Sequence, residues 1–398
     1  MMKKVWSSCL VLAFALVSSL GVSQGNLVYA EDHKETQAEQ TVNLVKNGTF
    51  DSTLDTGEKW TGKSAVDWNT PWIAKGEKGM TVVENPLKDA KVAYEYYELP
   101  GELVDIQPLG NGLINKTYQI THTQENKEKQ YVLQAINHHI FPNVRGLMEN
   151  IEKVTTYLRE KYEAEGRDAS RETLRVIRTK DGHLTANLDN GTYWRIYDSV
   201  KNSYSLDKVE SPEQFYITAK AFGRFAYDLN DFDASQLVEV IPQFHDTRNR
   251  YRQLEEAIRE DRVGRVKEVQ EEIAFIQNRK ADCFLLYDLL DEGVLPLRVT
   301  HNDTKLNNIM FDSETKEPLC IVDLDTVMPG LVLFDFGDSI RFGANDCAED
   351  ESDLTKVNFD FDLYETYVKG FIEGTNGILT EAELEYLPWG ARVITLEQ

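Results

Sequence analysis

The stretch that decides the fold is His301-Asn302-Asp303-Thr304-Lys305-Leu306-Asn307-Asn308. It places the carboxylate of Asp303 five residues before the amide of Asn308. A carboxylate can accept or orient the proton of an acceptor hydroxyl, and an amide oxygen can bind a metal ion that carries phosphate charge. We therefore predict phosphoryl transfer, with Asp303 as the catalytic base and Asn308 as a metal ligand.

A second motif follows the first and supports this interpretation over a non-catalytic acidic loop. The first motif has the H-x-D-x-x-x-x-N spacing of kinase catalytic loops. Next comes Ile321-Val322-Asp323-Leu324-Asp325, a short apolar strand that ends in carboxylates. Metal ions that bridge phosphates need such a carboxylate. We predict Asp323 as a metal ligand and Asp325 as a weaker candidate, which alternatively caps the turn.

A look-alike of the protein-kinase metal motif lies further along the chain, at Asp335-Phe336-Gly337. In kinase architecture the metal-binding carboxylate lies on the hairpin directly after the catalytic loop. Asp323 has that position, and Asp335 comes too late. We therefore predict that Asp335 is a structural brace of the catalytic loop, together with His301.

The elements around these motifs predict an α+β, two-lobed protein-kinase-like fold. We expect a five-stranded antiparallel N-terminal lobe with one helix, followed by a mostly helical C-terminal lobe. ATP would lie in the cleft between the lobes. The C-terminal lobe includes the charged stretch Arg250–Asn278 as helix. The predicted strands are Val104–Ile106, Tyr118–Thr121, Tyr131–Ile136, Leu174–Ile177 and Tyr193–Tyr197, and the helix runs from Val144 to Tyr162.

Candidate nucleotide contacts come from the predicted N-terminal lobe. Its first turn, Gly110-Asn111-Gly112 with Asn115 beyond it, is either a plain hairpin turn or a glycine loop whose amides cover the phosphates. Gln134 occupies the position on the third strand where a phosphate-binding lysine is expected. Glu152, on the following helix, is its expected partner or a solvated carboxylate. Tyr197 is a further candidate.

Two candidate acceptor contacts lie close to the motifs. Asn302 is inside the catalytic loop, and Arg341 follows the predicted brace Asp335. Arg341 either faces the acceptor or pairs with an acid, and the sequence leaves both interpretations open.

Composition excludes some classes of partner. The chain has 67 acidic and 43 basic residues, for a formal charge of −24. Binding to nucleic acid or to an anionic membrane needs clustered Lys and Arg, so neither partner is expected. We expect a small-molecule substrate, and the sequence leaves the oligomeric state open.

The N-terminus is organised differently from the rest. Residues 1–30 read as a signal peptide, with Lys3 and Lys4 before a short apolar run that is too short to span a membrane. Asn43–Phe50, followed by three tryptophans, resembles the opening strand of a glycosidase carbohydrate-binding module. We predict a signal peptide at 1–30, a linker and partial β-sandwich-like segment at 31–89, an N-terminal lobe at 90–200 and a C-terminal lobe at 201–398.

From about residue 90 to its end, the chain resembles the bacterial N-acetylhexosamine 1-kinases of the aminoglycoside phosphotransferase superfamily. The resemblance implies phosphorylation of the anomeric hydroxyl of GlcNAc or GalNAc, with ATP and Mg²⁺. A glutamine on the third strand is also usual in that branch. The segments that carry the resemblance are Tyr131–Gln134, Ala221–Gly223, Phe244–Thr247, Leu297–Asn308, Asp323–Thr326, Met328–Gly330 and Phe334–Ala344.

Two features depart from that family. Its chains have no signal peptide and continue past the point that corresponds to Gln398, so we expect a truncated C-terminus. The leader predicts export, whereas the resemblance implies a cytoplasmic enzyme, and the sequence leaves this conflict unresolved. A non-catalytic exported fusion, or a kinase for choline or an aminoglycoside, remains the alternative.

Overall fold

A computed structural model describes residues 86–110, 114–345, 347, 353 and 355–398. The predicted signal peptide, nearly all of the predicted linker and β-sandwich-like segment, and the Asn111 and Gly112 positions of the glycine loop lie outside these residues.

The N-terminal lobe is an antiparallel sheet between two helices. The sheet order is β1-β2-β3-β6-β4, and β5 pairs with β6. All five predicted strands are present, and the two-residue strand β5 is an addition. The elements are α1 (Pro86–Tyr94), β1 (Glu102–Pro108), β2 (Lys116–Gln124), β3 (Lys127–Ile136), α2 (Val144–Ala164), α3 (Ala169–Glu172), β4 (Val176–Ile177), β5 (Ala186–Asn187) and β6 (Tyr193–Asp198).

The two faces of this sheet have different roles. On one face, Ile120, Leu133 and Trp194 pack against Ala90 and Ala93 of α1, and all five are fully buried. The sequence analysis predicted only one helix in this lobe. It missed α1, a helix of nine residues that buries two alanines. So short a helix gives only a weak periodic pattern of apolar residues in the sequence. The other face carries Gln134 and Arg195 and is turned towards α2 and the C-terminal lobe.

The C-terminal lobe is mostly helical, and its short strands hold the predicted motifs. No helix among the described residues is both long and apolar enough to span a bilayer. The elements are β7 (Ser203–Tyr204), α4 (Pro212–Asp228), α5 (Thr247–Glu260), α6 (Gln270–Gln277), α7 (Lys280–Asp291), β8 (Arg298–Thr300), β9 (Ile309–Asp312), β10 (Pro318–Ile321), β11 (Met328–Gly330), α8 (Val332–Gly343), α9 (Phe361–Gly374) and α10 (Glu381–Glu397).

The predicted helical stretch Arg250–Asn278 is interrupted. Helix α5 ends at Glu260, and Asp261 follows in the left-handed conformation with φ 40°. Its N–H donates to the Ala257 carbonyl, which closes the helix. The charge pattern alone missed this end because Asp, unlike Gly, is not a typical residue for it.

Helix α10 packs closely on α8 and reaches the catalytic loop through a buried histidine. His245 lies between the Asn302 carbonyl oxygen, 3.1 Å from Nε2, and the Glu397 carboxylate, 3.0 Å from Nδ1. Burial alone would lower the pKa of His245, but Glu397, the Asn302 carbonyl and Asp338 raise it to about 9. Arg250 also contacts Glu397. The last turn of the chain is therefore tied to the loop that carries Asp303.

This histidine predicts a pH-dependent contribution to stability. A folded-state pKa of about 9, above the usual 6.5, means that the stabilisation is complete below pH 6.5 and is lost as the pH rises through 9. We expect His245→Gln to lower the melting temperature clearly at pH 6.5 and much less at pH 9.5. Thermal unfolding followed by circular dichroism measures this.

Glu385→Gln, an exposed change on α10, the helix that carries Glu397, is the matched control and should leave the melting temperature unchanged at both pH values. A difference between wild type and His245→Gln that stays constant over this range would show that protonated His245 is not the source of the stabilisation.

Candidate active site

The catalytic loop is held in place by one carboxylate. Asp335, on the first turn of α8, accepts the backbone N–H of His301 at 2.9 Å and that of Asn302 at 2.7 Å. Asn302 has φ 63°, so the loop turns sharply just before Asp303. Burial raises the pKa of Asp335 to about 6, although His301 and the two N–H donors oppose this. Asp335 thus occupies a bracing position, as its late place in the sequence predicts.

The neighbouring turn of α8 extends this brace. Asp338 accepts the backbone N–H of Thr304 at 3.0 Å, and Ser339 donates to the Thr304 carbonyl. Arg341 pairs with Asp338, with 2.9 Å between Nη2 and Oδ1. Of the two interpretations left open for Arg341, the structure shows the pairing with an acid.

His301 connects the catalytic loop to the segment that carries Asp323. Its Nδ1 accepts the Asp303 N–H at 3.3 Å, and its Nε2 donates to the Val322 carbonyl at 2.9 Å. These two partners define the tautomer. The side chain is fully buried, so His301 joins the two motifs as a structural residue.

Asp303 and Asn308 lie together, as their spacing predicts. The Asn308 amide nitrogen donates to the Asp303 carbonyl at 2.8 Å and to Asp303 Oδ2 at 3.2 Å. This orientation leaves Asn308 Oδ1 without a hydrogen-bond partner among the described residues. Lys305 Nζ lies 3.6 Å from Asp303 Oδ1 and brings a positive charge to the site. The sequence analysis overlooked Lys305, although it stands inside the motif.

Asp323 has a left-handed backbone conformation and a carboxylate that is repelled by its neighbours. It adopts the left-handed conformation with φ 56°. Its side chain reaches solvent, but the surrounding protein limits its hydration. This desolvation and the charges of Asp325 and Asp303 raise the pKa of Asp323 to about 7, against the opposing charges of Arg195 and Lys305. A cation bound here would relieve the repulsion.

The donor set fits Mg²⁺. Asp323 supplies a carboxylate, and Asn308 supplies an unused amide oxygen close to Asp303. Within the described ranges, no three His, Cys, Asp or Glu side chains form a group that could hold a metal alone. Mg²⁺ is usually bound by one or two carboxylates together with substrate phosphates and water, and Asp323 supplies such a carboxylate.

The structure corrects the prediction of Asp325 as a metal candidate. Asp325 is buried, and its Oδ1 lies 2.5 Å from Nη1 of Arg195. Its Oδ2 accepts from Asn115 Nδ2 at 2.6 Å. Both oxygens therefore face protein groups, Oδ1 in an ion pair and Oδ2 in a hydrogen bond. Asn115, predicted to contact the nucleotide, is also committed to Asp325 by this bond.

Three further predictions receive no support from the geometry. Gln134 binds Arg195 and Thr117 rather than Glu152, and Glu152 pairs with Arg178 at 2.7 Å. Tyr197 is buried beside the Arg195 guanidinium.

The Asn302 side chain is also turned into the protein. It is buried, and its amide nitrogen donates to the Thr326 carbonyl at 2.9 Å. Its oxygen lies 3.0 Å from the Thr300 hydroxyl, which can donate to it. Asn302 shapes the loop and presents no free polar atom to an acceptor in this conformation.

The glycine loop is described only in part. Gly110 has φ 70° and open space around its Cα, so it suits a loop that approaches a ligand closely. Asn111 and Gly112 lie outside the described residues, and their predicted role stays a prediction. A cavity of about 370 Å³ lies elsewhere, between Asn345 and the start of α9, and no catalytic-loop residue lines it.

A family model described as the phosphotransferase enzyme family, APH, matches residues 105–356. The chain belongs to this phosphotransferase family. It is a small-molecule kinase, and membership implies ATP as the phosphoryl donor. A second model, the CBM-like BppA domain 1, matches residues 45–99, which agrees with the resemblance to a carbohydrate-binding module.

Solved structures with similar folds include two kinases. A choline kinase from Cryptosporidium parvum Iowa II has a TM-score of 0.50 and 11% identity, over 79% of this chain and 87% of that one. An aminoglycoside phosphotransferase from Alicyclobacillus acidocaldarius has a TM-score of 0.49 and 14% identity, over 76% of this chain and 81% of that one. At this identity the first similarity shows the two-lobed kinase fold, as predicted, and no substrate.

The different surroundings of Asp323 and Asp335 predict opposite effects of two matched substitutions. Asp323→Asn removes a repelled carboxylate, so the melting temperature should stay the same or rise, while stabilisation by MgADP is lost. In Asp335→Asn the new amide places an N–H donor against a backbone N–H donor. We expect a loss of about 1–3 kcal/mol in the free energy of unfolding.

Thermal shift measurements with and without MgADP separate the two cases. The assignment would be reversed by the opposite result. In that case Asp335→Asn would keep wild-type stability but show no shift with MgADP, and Asp323→Asn would show the normal shift, so Asp335 would be the metal ligand.

Proposed function

We propose that this kinase transfers the γ-phosphoryl group of ATP to the anomeric hydroxyl of an N-acetylhexosamine, GlcNAc or GalNAc. The observation that carries the proposal is the Leu297–Asn308 segment, which resembles the corresponding segment of the N-acetylhexosamine 1-kinases. Asn308 donates to Asp303, and the charge of Asp303 acts on Asp323, which supports phosphoryl transfer at these motifs. The CBM-like match at residues 45–99 supports a carbohydrate as the acceptor.

The proposed step uses Asp303 as the base. Its carboxylate, one oxygen of which accepts from Asn308, takes the proton of the anomeric hydroxyl. The oxygen then forms a bond to the γ-phosphorus as the bond from that phosphorus to the β–γ bridging oxygen breaks. The products are the sugar 1-phosphate and ADP.

The supporting side chains keep charge in balance during this step. Asn308 and Asp323 would hold Mg²⁺, which neutralises charge on the phosphates when bound. Lys305 places a positive charge beside the base, with its Nζ 3.6 Å from Asp303 Oδ1. Asp335 and Asp338 fix the backbone around Asp303, so the base needs little reorganisation in the transition state.

The activity test compares acceptors and one isosteric variant. We expect ATP-dependent formation of GlcNAc 1-phosphate or GalNAc 1-phosphate, and a fall in kcat of about 10²–10⁴-fold in Asp303→Asn, because a positioned base contributes about that much. Coupled ADP release and phosphorus NMR of the product measure this.

Asp181→Asn, an exposed change far from the motifs in sequence, is the control and should retain wild-type activity. Choline and an aminoglycoside are tested in the same assay. If either is phosphorylated while both hexosamines are not, the hexosamine proposal is wrong and the kinase acts on another class of small molecule.

The place of action is a separate proposal. An enzyme that uses ATP should act in the cytoplasm, whereas residues 1–30 predict export. Fractionation of cells, with an antibody against the C-terminal lobe, distinguishes the two. Recovery of the whole chain outside the cell would favour the alternative of a non-catalytic exported fusion.

A further inference from the structure

A buried arginine lies next to the active site, on a different strand from the one that carries the phosphate-binding lysine of protein kinases. Protein kinases carry a phosphate-binding lysine on the third strand, and here that position is Gln134. Arg195, on the adjacent strand β6, is 1% exposed. Its guanidinium forms the ion pair with Asp325, at 2.5 Å, across the boundary between the lobes. A buried charge is costly unless it is paired and hydrogen-bonded, so this arginine needs a reason to be there.

A glutamine at position 134 can accept hydrogen bonds from Arg195, whereas a lysine at that position could not. The two residues are direct partners in the β3–β6 register, and Thr117 on β2 is the next partner across. Gln134 Oε1 accepts from Arg195 Nε at 3.0 Å and from Nη2 at 2.8 Å. A lysine at position 134 would place a second cation against the guanidinium. The neutral amide orients Arg195 and leaves its charge for Asp325.

The second oxygen of Asp325 reaches the end of the glycine loop. Asn115 Nδ2 donates to it at 2.6 Å, and Asn115 Oδ1 accepts the backbone N–H of Asn137 at 3.0 Å. Asp325 is two residues from Asp323. One buried carboxylate of the C-terminal lobe is therefore bound by the glycine-loop segment and by the sheet.

We propose that Arg195, Asn115 and Asp325 form an interlobe clasp that positions the start of β2, directly after Asn115, and the Asp323 turn for MgATP. In this clasp, Arg195 is the positioning residue that takes the place of the third-strand lysine. It is too deeply buried to contact phosphate and acts through Asp325. The proposal depends on membership of the phosphotransferase family and not on the identity of the acceptor.

The first test removes the glycine-loop side of the clasp. Asn115→Ala should fold, with a melting temperature lowered less than in a variant that breaks the Arg195–Asp325 pair, since it removes only neutral hydrogen-bonding groups and leaves that pair intact. It should raise the Kd for MgADP about tenfold, because a tenfold change corresponds to the free energy of about one hydrogen bond, here the one that positions this segment. Isothermal titration with MgADP measures this without an acceptor. Asn187→Ala, an exposed change in the same lobe, is the control and should bind MgADP normally.

The second test separates positioning from stability. Arg195→Met leaves Asp325 buried without its cation and is expected to lower the melting temperature strongly. The double variant Arg195→Met, Asp325→Asn removes both charges and should recover much of the melting temperature, but not the affinity for MgADP. With any accepted substrate, the KM for ATP should rise more than kcat falls.

Two outcomes would overturn the clasp. One is wild-type MgADP affinity in Asn115→Ala. The other is recovery of affinity together with melting temperature in the double variant, which would make the pair purely structural. If no hexosamine is phosphorylated, the titrations still report on the clasp, so the two proposals fail separately.

Discussion

The catalytic loop depends on one buried carboxylate, that of Asp335. A loop that turns through a left-handed residue cannot pair its own backbone N–H groups, and buried donors without partners are costly. Asp335 accepts two of them, from His301 and Asn302, and so fixes the backbone that leads to Asp303. Because Asp335 lies on the first turn of α8, the loop is anchored to that helix and to α10, which packs closely on α8 at Gly337 and Gly390.

The two lobes are joined by polar groups that have no access to water. Asp325 is bound by Arg195 and Asn115 of the N-terminal lobe. Nearby, Asn150 on α2 donates to the Val327 carbonyl of the C-terminal lobe at 3.0 Å. A rigid separation of the lobes would break all of these contacts at once, so such a motion is costly. The arrangement of the two lobes is therefore expected to change little when nucleotide binds.

Sequence reasoning was strongest where the chemistry is local. The spacing of Asp303 and Asn308 within one loop, and the order of strands and helices, led directly to the site and the kinase fold. It was weakest for contacts between distant segments. The chain separates Arg195 from Asp325 and His245 from Glu397 widely, and nothing in either local pattern identifies the partner. The predicted pairing of Glu152 with Gln134 failed for a related reason. It was taken from the arrangement in other kinases, whereas here the Gln134 side-chain oxygen accepts hydrogen bonds from Arg195, a distant residue in the sequence.

Helix α1 has a consequence for how the two matched regions are connected. The CBM-like match extends to residue 99, yet Ala90, Ala93 and Tyr97 are buried against the kinase sheet, and the Tyr97 hydroxyl donates to the Trp194 carbonyl. The end of one region is thus a structural part of the other. Cutting the chain at residue 105, where the phosphotransferase match begins, would remove α1 and expose the apolar face of the sheet to water. A kinase fragment that keeps this side of the sheet covered must therefore include α1 and Tyr97.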